Sequence, residues 1–176
     1  LFRVDPATGD ATTGLEETGP TFVELNQFTG LTPNWRSLGA EGDEILWWSQ
    51  RDGWGHLYLY DGQGRLKNRV TSGAWLVLEV LHVDEADRQV YFTGVGREPD
   101  HHPYFPQLYR VGLDGSGLTL LSPENASHRI TTAPSGRYFV DTYSTPGSPQ
   151  TSVVRDRQGR AVQTIEEADI DRLVAA

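Results

Sequence analysis

Glu44–Thr71, EILWWSQRDGWGHLYLYDGQGRLKNRVT, contains three short strand signals separated by two turn signals. Ile45, Leu46, Trp47 and Trp48 form an apolar, aromatic-rich run too short for a helix. Asp52-Gly53 follows with residues that tolerate the positive φ of a tight hairpin. From His56 to Tyr60 the chain alternates, with Leu57 and Leu59 on one face and His56, Tyr58 and Tyr60 on the other, the period of two expected of a strand. Asp61-Gly62-Gln63-Gly64 then turns the chain into Leu66–Thr71. The stretch predicts an antiparallel meander.

Working outward, the same pattern recurs. Leu1–Asp5, the Pro6-Ala7-Thr8-Gly9-Asp10 turn and a polar run to Glu17 predict half a blade over residues 1–17. An apolar alternation at Phe22–Leu25, the Gly39–Asp43 turn and the meander form a four-stranded unit over 20–71. A second unit, 74–122, comprises Trp75–Val83, Gln89–Gly94, a long Gly96–Pro106 loop, Leu108–Leu113 and Leu118–Ser122. A third, 127–165, runs through Ser127–Thr132, Tyr138–Ser144, Thr151–Arg155 and Ala161–Ile165. Leu46, Tyr91 and Phe139 are spaced by 45 and 48 residues, and Asp61, Asp114 and Asp156 each introduce a glycine-bearing turn before a final strand. Four-stranded repeats of this length are what β-propeller blades require, each burying its faces on its neighbours. Past 165 the alternation breaks. Ile170, Leu173 and Val174 sit at i, i+3, i+4, which predicts a short helix or exit linker over 166–176.

Composition agrees. At 176 residues the chain can bury roughly 70% of its unfolded surface. Its 19 glycines and 10 prolines suit short strands and turns better than long helices. The net charge of -9 argues against nucleic acid, whose phosphates need clustered cations, and of the 15 basic residues only Lys67 is lysine. Cysteine is absent, so disulfides and thiolate metal sites are excluded. Methionine is absent too, and the sequence opens directly on LFRV; the chain is therefore read as a segment of a longer polypeptide, with no signal peptide or membrane span in it.

WWSQRDGWGHLYLYDGQG (47–64), followed by VTSGAW (70–75), resembles the S-x-R-D-G-x-x-H-L-Y-L-Y segment of the dipeptidyl peptidase IV propeller domain. VYFTG (90–94), LYRVGLDG (108–115), APSGRYFVDTYSTPGSP (133–149) and RDRQGRAVQTIEE (155–167) extend the resemblance from about Phe22 to the C-terminus. Gln50 stands where glutamate is common, and His101-His102-Pro103 lengthens a loop. The resemblance implies a structural role for the motif residues Arg51, Asp52, Gly53, Trp54, His56, Tyr58 and Trp75, with Trp54 and His56 locking the hairpin and the interface between blades. Asn26, Gln27 and Phe28 end what is read as a blade's first strand, a neighbourhood that in this family contributes aromatic and arginine side chains to the substrate pocket. The residue types here do not match that pattern.

Other constellations favour plain structural roles. No G-x-S-x-G elbow is present, and Ser116 in Gly115-Ser116-Gly117 lies in a hairpin turn. Glu16-Glu17 does not correspond in position to the family's paired glutamates and is expected at a solvated strand end. His101 and His102, near Glu98 and Asp100, are adjacent residues of an extended loop that point to opposite sides, so no metal site is expected. Trp35, Trp47, Trp48 and Trp75 are expected to pack blades. Asn125-Ala126-Ser127 fits a glycosylation pattern that chance explains equally well.

The expectation is an all-β partial β-propeller of about three complete four-stranded blades plus half a blade. By resemblance it is a non-catalytic β-propeller segment, the C-terminal blades of the N-terminal propeller domain, of a dipeptidyl peptidase IV-like serine exopeptidase, gating substrate and contributing to its pocket. The partners implied are a downstream α/β-hydrolase domain that carries the Ser-Asp-His triad and a peptide substrate; no cofactor is implied. The resemblance suggests a bacterial periplasmic or cell-surface setting. The alternative is a stand-alone propeller module for protein binding or scaffolding. Open blade faces are expected to drive self-association.

Overall fold

The computed structural model describes residues 1–20, 22–24 and 34–170. Among the described residues fourteen strands form four sheets, and in each the strands neighbour one another in chain order. β1 (Phe2–Val4) and β2 (Ala11–Thr13) pair alone. β3 (Trp35–Leu38), β4 (Glu44–Ser49), β5 (His56–Asp61) and β6 (Leu66–Arg69) form the first antiparallel meander of four. β7 (Leu76–Asp84), β8 (Gln89–Val95), β9 (Gln107–Gly112) and β10 (Thr119–Leu120) form the second. β11 (Ser127–Thr132), β12 (Tyr138–Thr145), β13 (Ser148–Asp156) and β14 (Ala161–Glu167) form the third. All described elements are strands, and the fold is a partial β-propeller.

The register explains why the β4 sequence is a continuous apolar run. Leu46 pairs with Leu59 and Trp48 with Leu57. These side chains leave one face of the sheet and pack with Val77, Val80, Val90, Phe92 and Val111 of the second sheet. Ile45, Trp47, Tyr58 and Tyr60 leave the other face and pack with Leu1, Leu15 and Trp35. The period of two therefore divides two cores instead of core from solvent, as in any strand buried on both sides. Tyr91 and Leu108 of the second sheet meet Phe139 of the third and Leu121 between them, which continues the series. Each fully buried leucine contributes on the order of 1.5–3 kcal/mol to these interfaces.

The first strand of the first meander is Trp35–Leu38, later than the alternation at Phe22 implied. Phe22–Glu24 has no regular structure, and Leu25 lies outside the described residues. Trp35 and Leu38 serve opposite cores, so this short strand carries no polar-apolar alternation to betray it. At the other end β14 continues through Glu167, while Ile170 is irregular and Leu173 and Val174 lie outside the described residues.

A repeated contact joins the sheets. Each glycine-bearing turn before a final strand presses on the backbone that leaves the preceding sheet. A Cβ on Gly64 would lie 1.8 Å from the carbonyl oxygen of Gly14, one on Gly115 2.9 Å from that of Arg69, and one on Gly159 2.5 Å from that of Leu121. Only glycine fits, and at all three the φ is positive as well. The aspartate shapes the turn from within: Asp61 Oδ1 accepts from the amides of Gln63 and Arg65, Asp114 Oδ1 from Ser116, and Asp156 Oδ1 from Gln158 and Arg160.

Candidate functional site

The β4–β5 hairpin concentrates the motif residues at one end of the first meander. Gly53 takes a φ of 88° at its tip, and Gly55 N-terminal to β5 lets the turn close on Trp48 and Leu76. Val77 donates its amide to the Gly55 carbonyl at 2.9 Å, so the start of β7, and with it the β8–β9 loop, lies at the same end.

Arg51 is the centre of this hairpin. Its Nε donates to Ser49 Oγ at 2.8 Å, and its guanidinium lies over the rings of Tyr58, at 4.5 Å, and Tyr60, at 5.6 Å. Its Nη1 donates to the Tyr60 hydroxyl, and its Nη2 stands 3.4 Å from Glu17 Oε2. Glu17 accepts in addition from Trp47 Nε1 at 2.6 Å and from the Ser49 hydroxyl. A solvated Glu17 is thus not what the fold contains; its carboxylate ties the segment after β2 to the hairpin, while Glu16 is exposed. No local pattern reveals this, because the partners are 30 or more residues away.

Asp52 closes the other side. Its Oδ2 accepts from the Tyr58 hydroxyl at 2.6 Å and from Arg69 Nη1 at 2.9 Å, and these donors, Tyr58 first, hold its carboxyl below the usual carboxylate range. Burial, reinforced by Asp52, pushes the Tyr58 phenol up to about 12. Beside the cluster a cavity of about 440 Å³ is lined by Leu1, Phe2, Leu15, Glu17, Val23 and Trp47.

His56 reaches toward the segment that leads into the second meander. Its Nε2 stands 2.9 Å from the Gly73 carbonyl, an acceptor, and so carries the proton. Its Nδ1 therefore accepts from the Thr71 hydroxyl at 3.0 Å, and Thr71 Oγ1 in turn accepts from the Leu57 amide. Burial is the main reason its pKa is lowered, consistent with a neutral ring. Its edge meets Trp75 at 5.0 Å, and Trp75 packs near Phe92 and Tyr109 of the second sheet. His56 and Trp75 thus bridge neighbouring sheets, whereas Trp54 is 46% exposed at the hairpin tip. Asn26, Gln27 and Phe28 lie outside the described residues.

A second cluster joins residues that are distant in the sequence. Glu124, His128, Asp141 and Arg155 converge in the third meander, the last three buried. Arg155 donates to Asp141 at 2.7 Å through Nε, to Glu124 at 2.6 Å through Nη2, and to the Gly159 carbonyl at 3.1 Å through Nη1. His128 sets Nδ1 2.9 Å from both Asp141 oxygens and Nε2 3.0 Å from the Glu124 carbonyl. The histidine and two carboxylates have the spacing of metal ligands, but the Arg155 guanidinium already bonds both carboxylates. Burial opposes its charge, and the two acids more than offset that and raise its pKa. This is a buried ionic joint with its own cation.

Other singled-out residues have structural partners. Ser116 donates its amide and hydroxyl to Asp114 within its own turn. His102 stacks on Phe105 at 4.4 Å, and its Nδ1 accepts from the Tyr104 amide. Asn125 accepts from the His102 amide and donates to the Asp100 carbonyl, which latches the β8–β9 loop.

Comparison with known proteins fits this architecture. Residues 1–150 match the family described as dipeptidyl peptidase IV (DPP IV) N-terminal region. A dipeptidyl peptidase 4 of Arthroderma otae is 30% identical over 125 residues, covering 69% of this chain and 16% of that protein. One of Trichophyton rubrum is 30% identical over 103 residues, 57% of this chain and 13% of its own length. The crystal structure of Porphyromonas gingivalis dipeptidyl peptidase 4 shares the fold with a TM-score of 0.79 at 23% identity, over 99% of this chain and 23% of that one. The chain thus spans a small part of these relatives. By its match over most of its length, it belongs to the dipeptidyl peptidase IV family and falls within the N-terminal region of that family.

Proposed function

We propose that the chain is a non-catalytic segment of the propeller of a dipeptidyl peptidase IV-like serine exopeptidase, gating substrate and contributing to its pocket. The observation that carries this reading is the family match over residues 1–150. The activity is that of the longer polypeptide, removal of N-terminal dipeptides, and its triad belongs to an α/β-hydrolase domain outside these residues. In support, the sequence has no G-x-S-x-G elbow. The pocket contribution centres on the hairpin end of the first meander. There Glu17 and Trp47 border an open cavity, and Arg51 and the aromatic rings beneath it hold Glu17 in place. By resemblance to the family, Asn26, Gln27 and Phe28 are assigned a part in substrate binding.

Steady-state kinetics on the full-length polypeptide test this. Alanine at Asn26, Gln27 and Phe28 in turn is expected to raise KM for a Gly-Pro amide with kcat largely kept. If all three leave both constants unchanged, the pocket assignment fails. A full-length polypeptide inert toward Gly-Pro and Ala-Pro amides would favour the scaffold reading instead.

A further inference from the structure

The second meander repeats the arrangement at the centre of the motif hairpin. Arg51 is the second residue past β4 and lies over the ring of Tyr58, the third residue of β5. Arg97 is the second residue past β8 and lies over the ring of Tyr109, the third residue of β9, at 5.7 Å. Each guanidinium has a carboxylate partner, Glu17 for Arg51 and Glu98 for Arg97, and the two are exposed to the same degree, 31% and 32%. Each tyrosine faces the preceding sheet, Tyr58 beside Leu15 and Tyr109 in the core to which Trp48 and Leu57 contribute. In the third meander residues 146–147 join β12 to β13, and Gly147 stands where the arginine would be.

On this repeated seat the second meander carries a longer connection, residues 96–106 against 50–55 in the first. Its backbone is tied at several points. The His101 amide donates to the Glu98 carbonyl at 3.2 Å and the Phe105 amide to the His102 carbonyl at 3.0 Å. Asn125, from the segment before β11, accepts from the His102 amide at 2.8 Å and donates to the Asp100 carbonyl at 3.0 Å. Its neighbour Glu124 is held by Arg155, so the latch is anchored in the buried joint of the third meander. On this ordered loop the Tyr104 side chain is 81% exposed. A tyrosine has few torsions and its backbone is already fixed here, so little conformational freedom is lost when the ring meets a ligand.

We propose that the β8–β9 loop is a second wall of the substrate surface at the hairpin end, and that it meets the part of a peptide substrate beyond the cleaved dipeptide. Tyr104 is the specificity-determining contact and Asn125 a positioning residue that holds the loop. This role rests on the exopeptidase reading above. The cavity bordered by Glu17 and Trp47 lies on the side of the first meander that faces away from the second. Stacked sheets are about 10 Å apart, and an extended dipeptide spans about 7 Å. A ligand that touches both walls is therefore longer than a dipeptide, and the Tyr104 ring offers it a face suited to apolar and aromatic side chains.

Steady-state kinetics on the full-length polypeptide test it with two substrates, a Gly-Pro amide and a heptapeptide that begins Gly-Pro and carries phenylalanine beyond the cleaved bond. Tyr104→Ala, at an exposed position, is expected to raise KM for the heptapeptide about tenfold more than KM for the amide, the size of one lost ring contact. Tyr104→Phe is expected to keep the wild-type ratio of the two KM values. Asn125→Ala, which removes both latch bonds, is expected to shift that ratio in the same direction as Tyr104→Ala. A Tyr104→Ala enzyme with the wild-type ratio overturns the proposal, while turnover of the amide by the wild type leaves the exopeptidase reading standing. A Tyr104→Phe enzyme that behaves like Tyr104→Ala overturns the ring contact, and an unchanged ratio in Asn125→Ala overturns the latch. A wild type inert toward both substrates refutes the exopeptidase reading and this proposal with it.

Discussion

Arg155→Met is the sharpest test of how the third meander is held together. The guanidinium is 2% exposed and Asp141 fully buried. Methionine keeps the aliphatic stem, so the loss is chiefly electrostatic. Without Arg155, Asp141 retains His128 but loses its 2.7 Å partner, and Glu124 loses its 2.6 Å partner. Removing one side of a buried ion pair costs roughly 3–5 kcal/mol, and Glu124, about a third exposed, adds little because solvent screens it. The expected loss is about 4 kcal/mol. Urea unfolding followed by tryptophan fluorescence should show a midpoint lower by about 2 M with an unchanged slope, for a slope of about 2 kcal/mol/M. Adding Asp141→Leu removes the uncompensated charge, so the double variant should lose about 2 kcal/mol less than the sum of the two single losses. A single-variant loss under about 1 kcal/mol, the scale of a surface pair, or strict additivity would refute the buried-joint reasoning.

Two further changes probe the hairpin and the sheet interface. Gly55→Ala places a Cβ 2.2 Å from Trp48 and 2.5 Å from Leu76, so overpacking should lower stability by about 2 kcal/mol in the same urea assay; a neutral result would contradict the close packing. Glu79 has a pKa raised by burial, which the Arg36 charge only partly counters. Folding therefore favours its protonated form, and its contribution is lost as pH rises through the raised value. Glu79→Gln should be more stable than wild type near neutral pH, and the difference should vanish below the ordinary value of 4.5. A gap constant across pH would exclude this account.

The meander of β4, β5 and β6 was legible because its signals are local: an apolar run, Asp-Gly, alternation, then Asp-Gly-Gln-Gly. The glycine turns were legible for the same reason, although their role as contacts between sheets was not, since the carbonyls they touch lie tens of residues away. β3 escaped because Trp35 and Leu38 face different cores and leave no polar face. Glu17 escaped because its partners Trp47, Ser49 and Arg51 meet it only through the tertiary fold. Asp141 and Arg155 did leave a trace. Their parity matches that of Phe139 and Val153, so a strand assignment there already directs two opposite charges inward. That parity could have identified the joint.

The central claim is that these stacked meanders are propeller blades whose peptidase machinery lies elsewhere in the polypeptide. Labelling the full-length protein with a fluorophosphonate and mapping the modified serine tests it most directly. The expected result is a labelled peptide outside residues 1–176 together with loss of Gly-Pro amide turnover. A label on Ser116, or on any other serine of this chain, would contradict it.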